Sequence, residues 1–170
     1  VGIVNLTPDS FSDGGIWTQK EDALRRIETL IRDGADVIDV GAESSRPGSV
    51  SISEDVEIER LSPLLNEYKK HFSTPLSLDT WKANVALFGL EKGVDMINDI
   101  TALRGDDDMA SVVARFQCPL VLMHMQGHPS TMQNQPTYED VVKETDVFFQ
   151  ERIAFCQSAG INKILLDPGI

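Results

Sequence analysis

Cysteine is nearly absent from this chain. The two present, Cys118 and Cys156, lie far apart and match no metal-ligand spacing. That excludes a zinc module and leaves free buried thiols in a reducing compartment as the expectation. Basic charge is also scarce: 15 Lys and Arg stand against 27 Asp and Glu, a net charge of -12. A nucleic-acid partner needs clustered cations, and so does an anionic membrane surface, so both are excluded. A small anionic substrate is not, because one or two local cations, a metal or a helix N-terminus suffice for it. No apolar run approaches the roughly 20 residues that span a bilayer. No signal-peptide pattern is present and the chain opens directly in a strand, so a cytoplasmic protein is expected. Finally, there is no G-x-G-x-x-G or Walker stretch to cradle a nucleotide.

What is present is an ordinary globular composition, 41% hydrophobic and 25% charged over 170 residues, enough for one core and one domain. Short apolar runs alternate with helical periodicity throughout. The strands read as 1–4, 36–41, 76–79, 95–99, 119–124 and 164–167. The helices read as 19–32, one capped by Ser51 and Glu54, 81–92, 107–116 and about 138–158. Thr18 with Glu21 fits a capping box for the first helix, and Gly34 is its stop. Pro63 falls inside the second helix and predicts a kink or a restart capped by Ser62. In the fifth, Val141, Val142, Thr145, Phe148, Phe149 and Cys156 share a side.

Strict strand–helix alternation means βαβ units and a parallel sheet. A doubly wound sheet and a β/α barrel both fit. The barrel is favoured because nearly every strand ends in a polar residue: Asn5, Gly41 with Glu43 beyond it, Asp79, Asn98, His124 and Asp167. A TIM barrel gathers those carboxyl ends into one mouth. Such a barrel takes roughly 250 residues and eight units. Six strands and five helices therefore read as a single α/β domain over residues 1–170, a barrel lacking its last two units.

The opening stretch VGIVNLTPDSFSDGG carries more than a connector needs. Asn5 at a strand end can offer its amide oxygen to a metal or a phosphate-bound water. Asp9 and Asp13 add carboxylates, and Phe11 can close over a flat ring. This stretch resembles the first signature of the dihydropteroate synthase family, and DVGAESSRPG at 39–48 resembles the second. LDTWK, INDI, LMHMQGHP with TMQ, and LLDPG follow in the family's order. The family condenses a dihydropterin methyl diphosphate with 4-aminobenzoate to give dihydropteroate and pyrophosphate.

The resemblance implies a site. Asp167 would pair with two N–H donors of the pterin, a ring N–H and an exocyclic amine, as a carboxylate suits. Asn98 would read the mixed edge of the ring. Asp79 would lie near the ring N–H on the reduced side and stabilise positive charge as the C–O bond to diphosphate breaks. Ile100 and Met123 would supply apolar faces. The alternative for Asp79, Asn98 and Asp167 is capping of the following helices. Asn5, with Asp9 as a further partner, would hold Mg2+. Phe11 and Pro47 would wall the 4-aminobenzoate pocket, with Ser45 and Arg46 as its polar parts; the family usually has Thr at position 45. His124 reads as a structural, hydrogen-bonded histidine ahead of a general base. His71 and His128 read as surface residues, the 106–108 acidic run as a solvated helix start, and Trp81 has no role.

The family also uses a phenylalanine-containing glycine loop after Gly169, a lysine on the seventh strand, and an arginine and histidine on the eighth; none is in this sequence. The implied partners are the two small substrates, with a homodimeric parent and no nucleic acid or membrane. The competing readings are a pterin-dependent methyltransferase on the same barrel, which would not need the TPDSFSDGG and SSRPG loops, and a non-catalytic pterin-binding fragment.

Overall fold

The computed structural model describes residues 1–7, 15–44, 51–127 and 137–169, with backbone alone at 15–19. Its elements are β1 (Gly2–Asn5), α1 (Gly15–Arg32), β2 (Ile38–Gly41), α2 (Glu54–His71), β3 (Leu76–Asp79), α3 (Ala83–Glu91), β4 (Met96–Asp99), α4 (Met109–Phe116), β5 (Leu120–Met123), α5 (Val141–Ser158) and β6 (Ile164–Asp167). The strands form one six-stranded sheet in the order β1-β2-β3-β4-β5-β6, every pair parallel. A doubly wound sheet reverses its strand order at a switch point; this one never does. The sequential order, with a helical crossover each time, is that of a TIM barrel over six of its strands. Among the described residues no helix is long and apolar enough to cross a membrane.

Register decides which side chains meet. Asp39 pairs with Ile3 and Ser77, Asp79 with Gly41 and Asn98, and Met123 with Asp167. Strand side chains alternate in direction, so Asn5, Asp39, Asp79, Asn98, Met123 and Asp167 all point from one face. The other face carries Val4, Ile38, Val40, Leu76, Leu78, Ile97, Leu120 and Leu122, all buried. That apolar face lies under the helices and forms the core with their inward residues. The opposite face is open at its two edges: Ile3 is 62% exposed and Leu165 48%.

The helices present apolar stripes to that core. Ala23 and Ile27 of α1 are buried, as are Leu61, Leu64, Leu65 and Tyr68 of α2. Consecutive helices pack on each other, α1 on α2, α2 on α3 and α3 on α4. Gly34 ends α1 with φ +101, a left-handed conformation that costs glycine least. α2 starts with three acidic residues and ends with Lys69, Lys70 and His71, matching the helix dipole at both ends.

Several boundaries differ from the sequence expectation. α1 starts at Gly15, so Thr18 and Glu21 lie within it and form no terminal capping box. The α2 cap is Ser53 rather than Ser51; its hydroxyl accepts from Val56 N at 3.4 Å. Pro63 does not restart α2, which runs as one helix through it. Ser62 instead accepts from Asn66 Nδ2 at 3.2 Å. α5 is capped by Asp140, accepting from Lys143 N at 3.1 Å. It buries Phe149 and Cys156 but leaves Val141 and Val142 exposed. Both cysteines are free and buried, as expected.

Gly89 sits where α3 presses on β3. A Cβ there would overlap Leu78 Cδ2, which is fully buried. Alanine would gain about 0.5–1 kcal/mol of helix propensity. Overpacking a closed core costs about 1–3 kcal/mol. Gly89→Ala should therefore lower stability in denaturant titration, and should cost less when introduced into a Leu78→Ala background, where the overlapping methyl is gone. A stabilised single variant would contradict this packing.

Candidate active site

Parallel strands bring their carboxyl ends together, and the polar residues collect there. Asn98 Nδ2 donates to Asp39 Oδ2 at 3.0 Å. The other Asp39 oxygen, Oδ1, and the Asn98 amide oxygen, Oδ1, are buried and have no hydrogen-bond partner among the described residues. Leaving a buried acceptor unmet costs about 1–3 kcal/mol, so two side by side mark a place where donors are wanted. Asp39 received no role from the sequence. Its signal was a charged residue in the middle of a strand, DVIDVG, where apolar residues belong.

Asp79 stands beside them at the end of β3. Burial, and then the like charges of Asp39, Glu57, Asp99 and Glu43, push its carboxyl up to about 8. Gly41 makes room for it: a Cβ there would come within 3.2 Å of Asp79 Oδ2. Asp79 does not cap the next helix, because the α3 N-cap is Lys82, which makes no side-chain cap bond. Asn98 does not cap α4 either, whose N-cap is Asp108. The capping alternative holds only in part for Asp167, whose Oδ1 accepts from Gly169 N at 2.9 Å. Its Oδ2 is left for other partners.

The surrounding loops are held by buried polar contacts. Asp99 accepts from Thr101 N at 2.8 Å, Thr101 Oγ1 at 2.7 Å and Leu103 N at 2.8 Å. These bonds sustain left-handed backbone at Ala102 (φ 53) and Leu103 (φ 62), which costs a non-glycine residue about 1–2 kcal/mol each. They thereby fix the turn that begins at Ile100, which is buried. Arg104 joins this loop to the one after β5: it donates to Thr101 O at 3.0 Å and Met125 O at 3.2 Å, over the Phe148 ring. Met123 is half-buried at the end of β5. His124 is buried among aromatic rings, with Phe148 edge-on at 5.0 Å and Tyr138 and Phe149 near 6 Å. Its backbone N–H donates to Asp167 O at 2.8 Å. These contacts favour the structural role through ring packing.

His71 is exposed, as read. Asp106 is more than a solvated helix start: it accepts from Ala83 N at 2.8 Å and anchors the first turn of α3. Trp81, given no role, lies against Lys82, whose Nζ is 5.3 Å from its ring centroid. Asn5 is exposed at the end of β1, in register with Gly41. Asp9, Phe11, Asp13, Ser45, Arg46, Pro47 and His128 lie outside the described residues. Sequence reading also missed a buried ion cluster in which Lys82 Nζ donates to Glu43 and Glu57.

The model of a family described as pterin binding enzyme matches residues 1–170. The chain belongs to the pterin-binding enzyme family. A dihydropteroate synthase of Escherichia coli strain K12 is 43% identical over 171 residues, covering 99% of this chain and 60% of that protein. The structure of a dihydropteroate synthase from Clostridium difficile, solved in the presence of pteroic acid, superposes with TM-score 0.91 at 38% identity, over 99% of this chain and 63% of that one. A dihydropteroate synthase from Xanthomonas albilineans with 4-aminobenzoic acid gives TM-score 0.89 at 42% identity, over 99% and 60%. The chain thus spans about 60% of the length of the relatives it matches.

The raised Asp79 carboxyl has a consequence for stability. Its folded form holds a proton more tightly than the unfolded chain, whose ordinary value is 3.8. The folded state is therefore favoured most below that value, and this contribution is lost as pH rises through about 8. Asp79→Asn removes the titration. The melting temperature of the variant minus that of the parent should grow between those limits and then level off. A difference independent of pH would overturn the assigned burial and charge environment.

Proposed function

We propose that the parent protein is a dihydropteroate synthase, joining a dihydropterin methyl diphosphate to 4-aminobenzoate with release of pyrophosphate. The observation that carries this reading is the acidic, donor-seeking cluster of Asp39, Asp79, Asn98 and Asp167 on one face of the sheet. A reduced pterin offers a ring N–H and an exocyclic amine to Asp167, and its mixed edge to Asn98. Ile100 and Met123 flank it. When the methylene carbon leaves diphosphate, positive charge spreads into the ring, and the Asp79 carboxyl is placed to stabilise it. That role needs Asp79 ionised, and ring donors against it would restore the charge that burial discourages. The arylamine nitrogen bonds to the same carbon as the C–O bond breaks, and its proton passes to solvent.

Phe11, Ser45, Arg46 and Pro47 are proposed for the arylamine and diphosphate. Asn5 fits a Mg2+ ion that binds chiefly through phosphate and water, since it presents one exposed amide oxygen at the mouth and such an ion asks little more of the protein. Asp9 is its proposed second partner. When bound, Mg2+ supplies neutralising charge to the departing diphosphate. We carry over from the resemblance a homodimeric parent acting in the cytoplasm, with two further βα units closing the barrel beside β1 and β6.

Calorimetry on the full-length parent tests this directly. A pterin should bind, and more tightly with Mg2+ and pyrophosphate; no binding under either condition overturns the reading. Asp167→Asn should lose most of that affinity while the fold survives, each charge-assisted bond being worth about 1.5–3 kcal/mol. Near-normal binding by the variant would remove Asp167 from the site. Residues 1–170 made alone should show no synthase activity, because two sheet edges stay unpaired and the phosphate-gripping residues are missing. Adding the parent's next roughly 80–100 residues, enough for two units, should restore it; an active short form would contradict the architecture.

A further inference from the structure

Asp39 lies deeper in the sheet than the other acceptors of the site. Register sets its level: it stands opposite Ile3 and Ser77, and Ser77 opposite Met96. Asp79 and Asn98 face each other two residues nearer the carboxyl ends of their strands, about 6–7 Å higher. Asp39 is 8% exposed, a charged group placed among an isoleucine, a serine and a methionine. Its carboxylate reaches past β3 to Asn98, accepting from Nδ2 at 3.0 Å through Oδ2. Its Oδ1 is buried without a partner among the described residues. Asp79, Asn98 and Asp167 suffice to meet the pterin, and this carboxylate is the one left over.

Stability does not account for it. A half-satisfied buried carboxylate costs free energy, and its charge helps push the Asp79 carboxyl up to about 8. An aliphatic residue at position 39 would do neither. What the carboxylate supplies is direction. A carboxamide carries an acceptor and a donor that exchange places by a half-turn, whereas a carboxylate only accepts. With Nδ2 toward Asp39, an N–H meets an acceptor. After a half-turn Asn98 Oδ1 would face Asp39 Oδ2, setting two acceptors against each other at hydrogen-bond distance. Asp39 therefore permits one of the two orders. In that order Asn98 Oδ1, buried and without a partner among the described residues, is the atom that wants a donor. The second N–H of the amide is the donor beside it.

We propose that Asp39 is a positioning residue that locks the Asn98 carboxamide in one order, so that the site selects a ring with an amine donor beside a ring-nitrogen acceptor and rejects the reverse. This rests on the synthase reading above for the pterin, but not for the lock itself. The exocyclic amine of a pterin has two hydrogens. One points to the edge assigned to Asp167, and the other lies beside a ring nitrogen that accepts. Asn98 Oδ1 takes that second hydrogen, and its free N–H meets the ring nitrogen. In lumazine a carbonyl replaces the amine and the ring nitrogen beside it carries a hydrogen, the same two groups exchanged. Asp167 also disfavours that carbonyl, so the role of Asp39 is read from the change in preference when Asp39 is replaced. The open Oδ1 of Asp39 is the residual cost of the lock.

The test is calorimetric binding of pterin and of lumazine to the full-length protein, its Asp39→Asn and Asn98→Ala variants, and the double variant. Asparagine at 39 keeps the shape and one hydrogen bond, but two facing amides pair in either order by turning together, so the lock is released. The parent should bind pterin at least about 100-fold more tightly than lumazine. Asp39→Asn should shrink that ratio about tenfold or more, chiefly through tighter lumazine binding. In the Asn98→Ala background the same substitution should leave the ratio within about twofold, because nothing remains to be locked. An unchanged ratio in Asp39→Asn overturns the proposal, and so does an equal change in the Asn98→Ala background, which would mean that Asp39 meets the ring itself. A purely structural Asp39 would give a lower melting temperature with the ratio unmoved, which also overturns it. If Asp39→Asn does not fold, Asp39→Ala carries the test: it removes the acceptor, frees Asn98 to turn, and should relax the ratio likewise. Nuclear magnetic resonance separates the lock from the functional reading. The side-chain amide signals of Asn98, identified by their loss in Asn98→Ala, should exchange with solvent faster in ligand-free Asp39→Ala than in the ligand-free parent. Unchanged exchange overturns the lock; failure of the parent to bind either ring, with the exchange difference present, overturns only the pterin assignment.

Discussion

The two-residue repeat of the β-strand, locked by parallel register, is the constraint on which the rest of this molecule depends. Each strand contributes four residues, and alternate positions face the helices or the other side. Because β2, β3 and β4 pair in register, Asp39, Asp79 and Asn98 must share a face while Val40, Leu78 and Ile97 share the other. A slip of one residue would bury the carboxylates under the helices and expose the aliphatic row. The hydrophobic side therefore holds the polar side in place. Burying the aliphatic row contributes about 1.5–3 kcal/mol per large side chain, and the same register packs acidic groups closely enough to disturb one another.

That disturbance is the chemistry of the mouth. Burial raises the pKa of Asp79 first, and the charges of Asp39, Glu57, Asp99 and Glu43 raise it further. The fold tolerates the crowding by different means. Asp99 is satisfied by Thr101 and Leu103 N–H groups and shapes a left-handed turn. Glu43 and Glu57 share the Lys82 ammonium. Asp39 and Asn98 satisfy half of each other. Among the described residues only the last arrangement leaves acceptors open, and it lies beside Asp79, whose carboxyl is pushed up to about 8. Structural carboxylates are those with protein donors; the candidate site consists of those without enough.

Much of the architecture was legible because it is written locally. Helical periodicity in Ala23, Ile27 and Leu61, Leu64, Leu65, Tyr68, with short aliphatic runs between, predicted the βαβ order. Polar strand ends predicted a barrel mouth. Errors arose where tertiary contacts overrule local signals. Thr18 with Glu21 is a good capping pattern, yet α1 extends past it to Gly15. Ser62 beside Pro63 is a good restart cap, yet α2 continues past it with Leu61, Leu64 and Leu65 buried on either side. Val141 and Val142 fit the apolar stripe of α5 but are exposed.

The sequence by itself determined the order of elements and, to within one residue, where each strand ends, since both follow from neighbours within a few positions. The motifs it carries also determined the family. The tertiary structure alone decided which polar groups touch. Asn98 meets Asp39 across 59 positions, and Lys82 meets Glu43 across 39 and Glu57 across 25. No local pattern encodes such pairs, because parallel pairing places residues by strand register and crossover geometry rather than by distance along the chain. The protonation of Asp79 is decided at the same level, for it depends first on burial and then on four carboxylates, and only the folded chain supplies either.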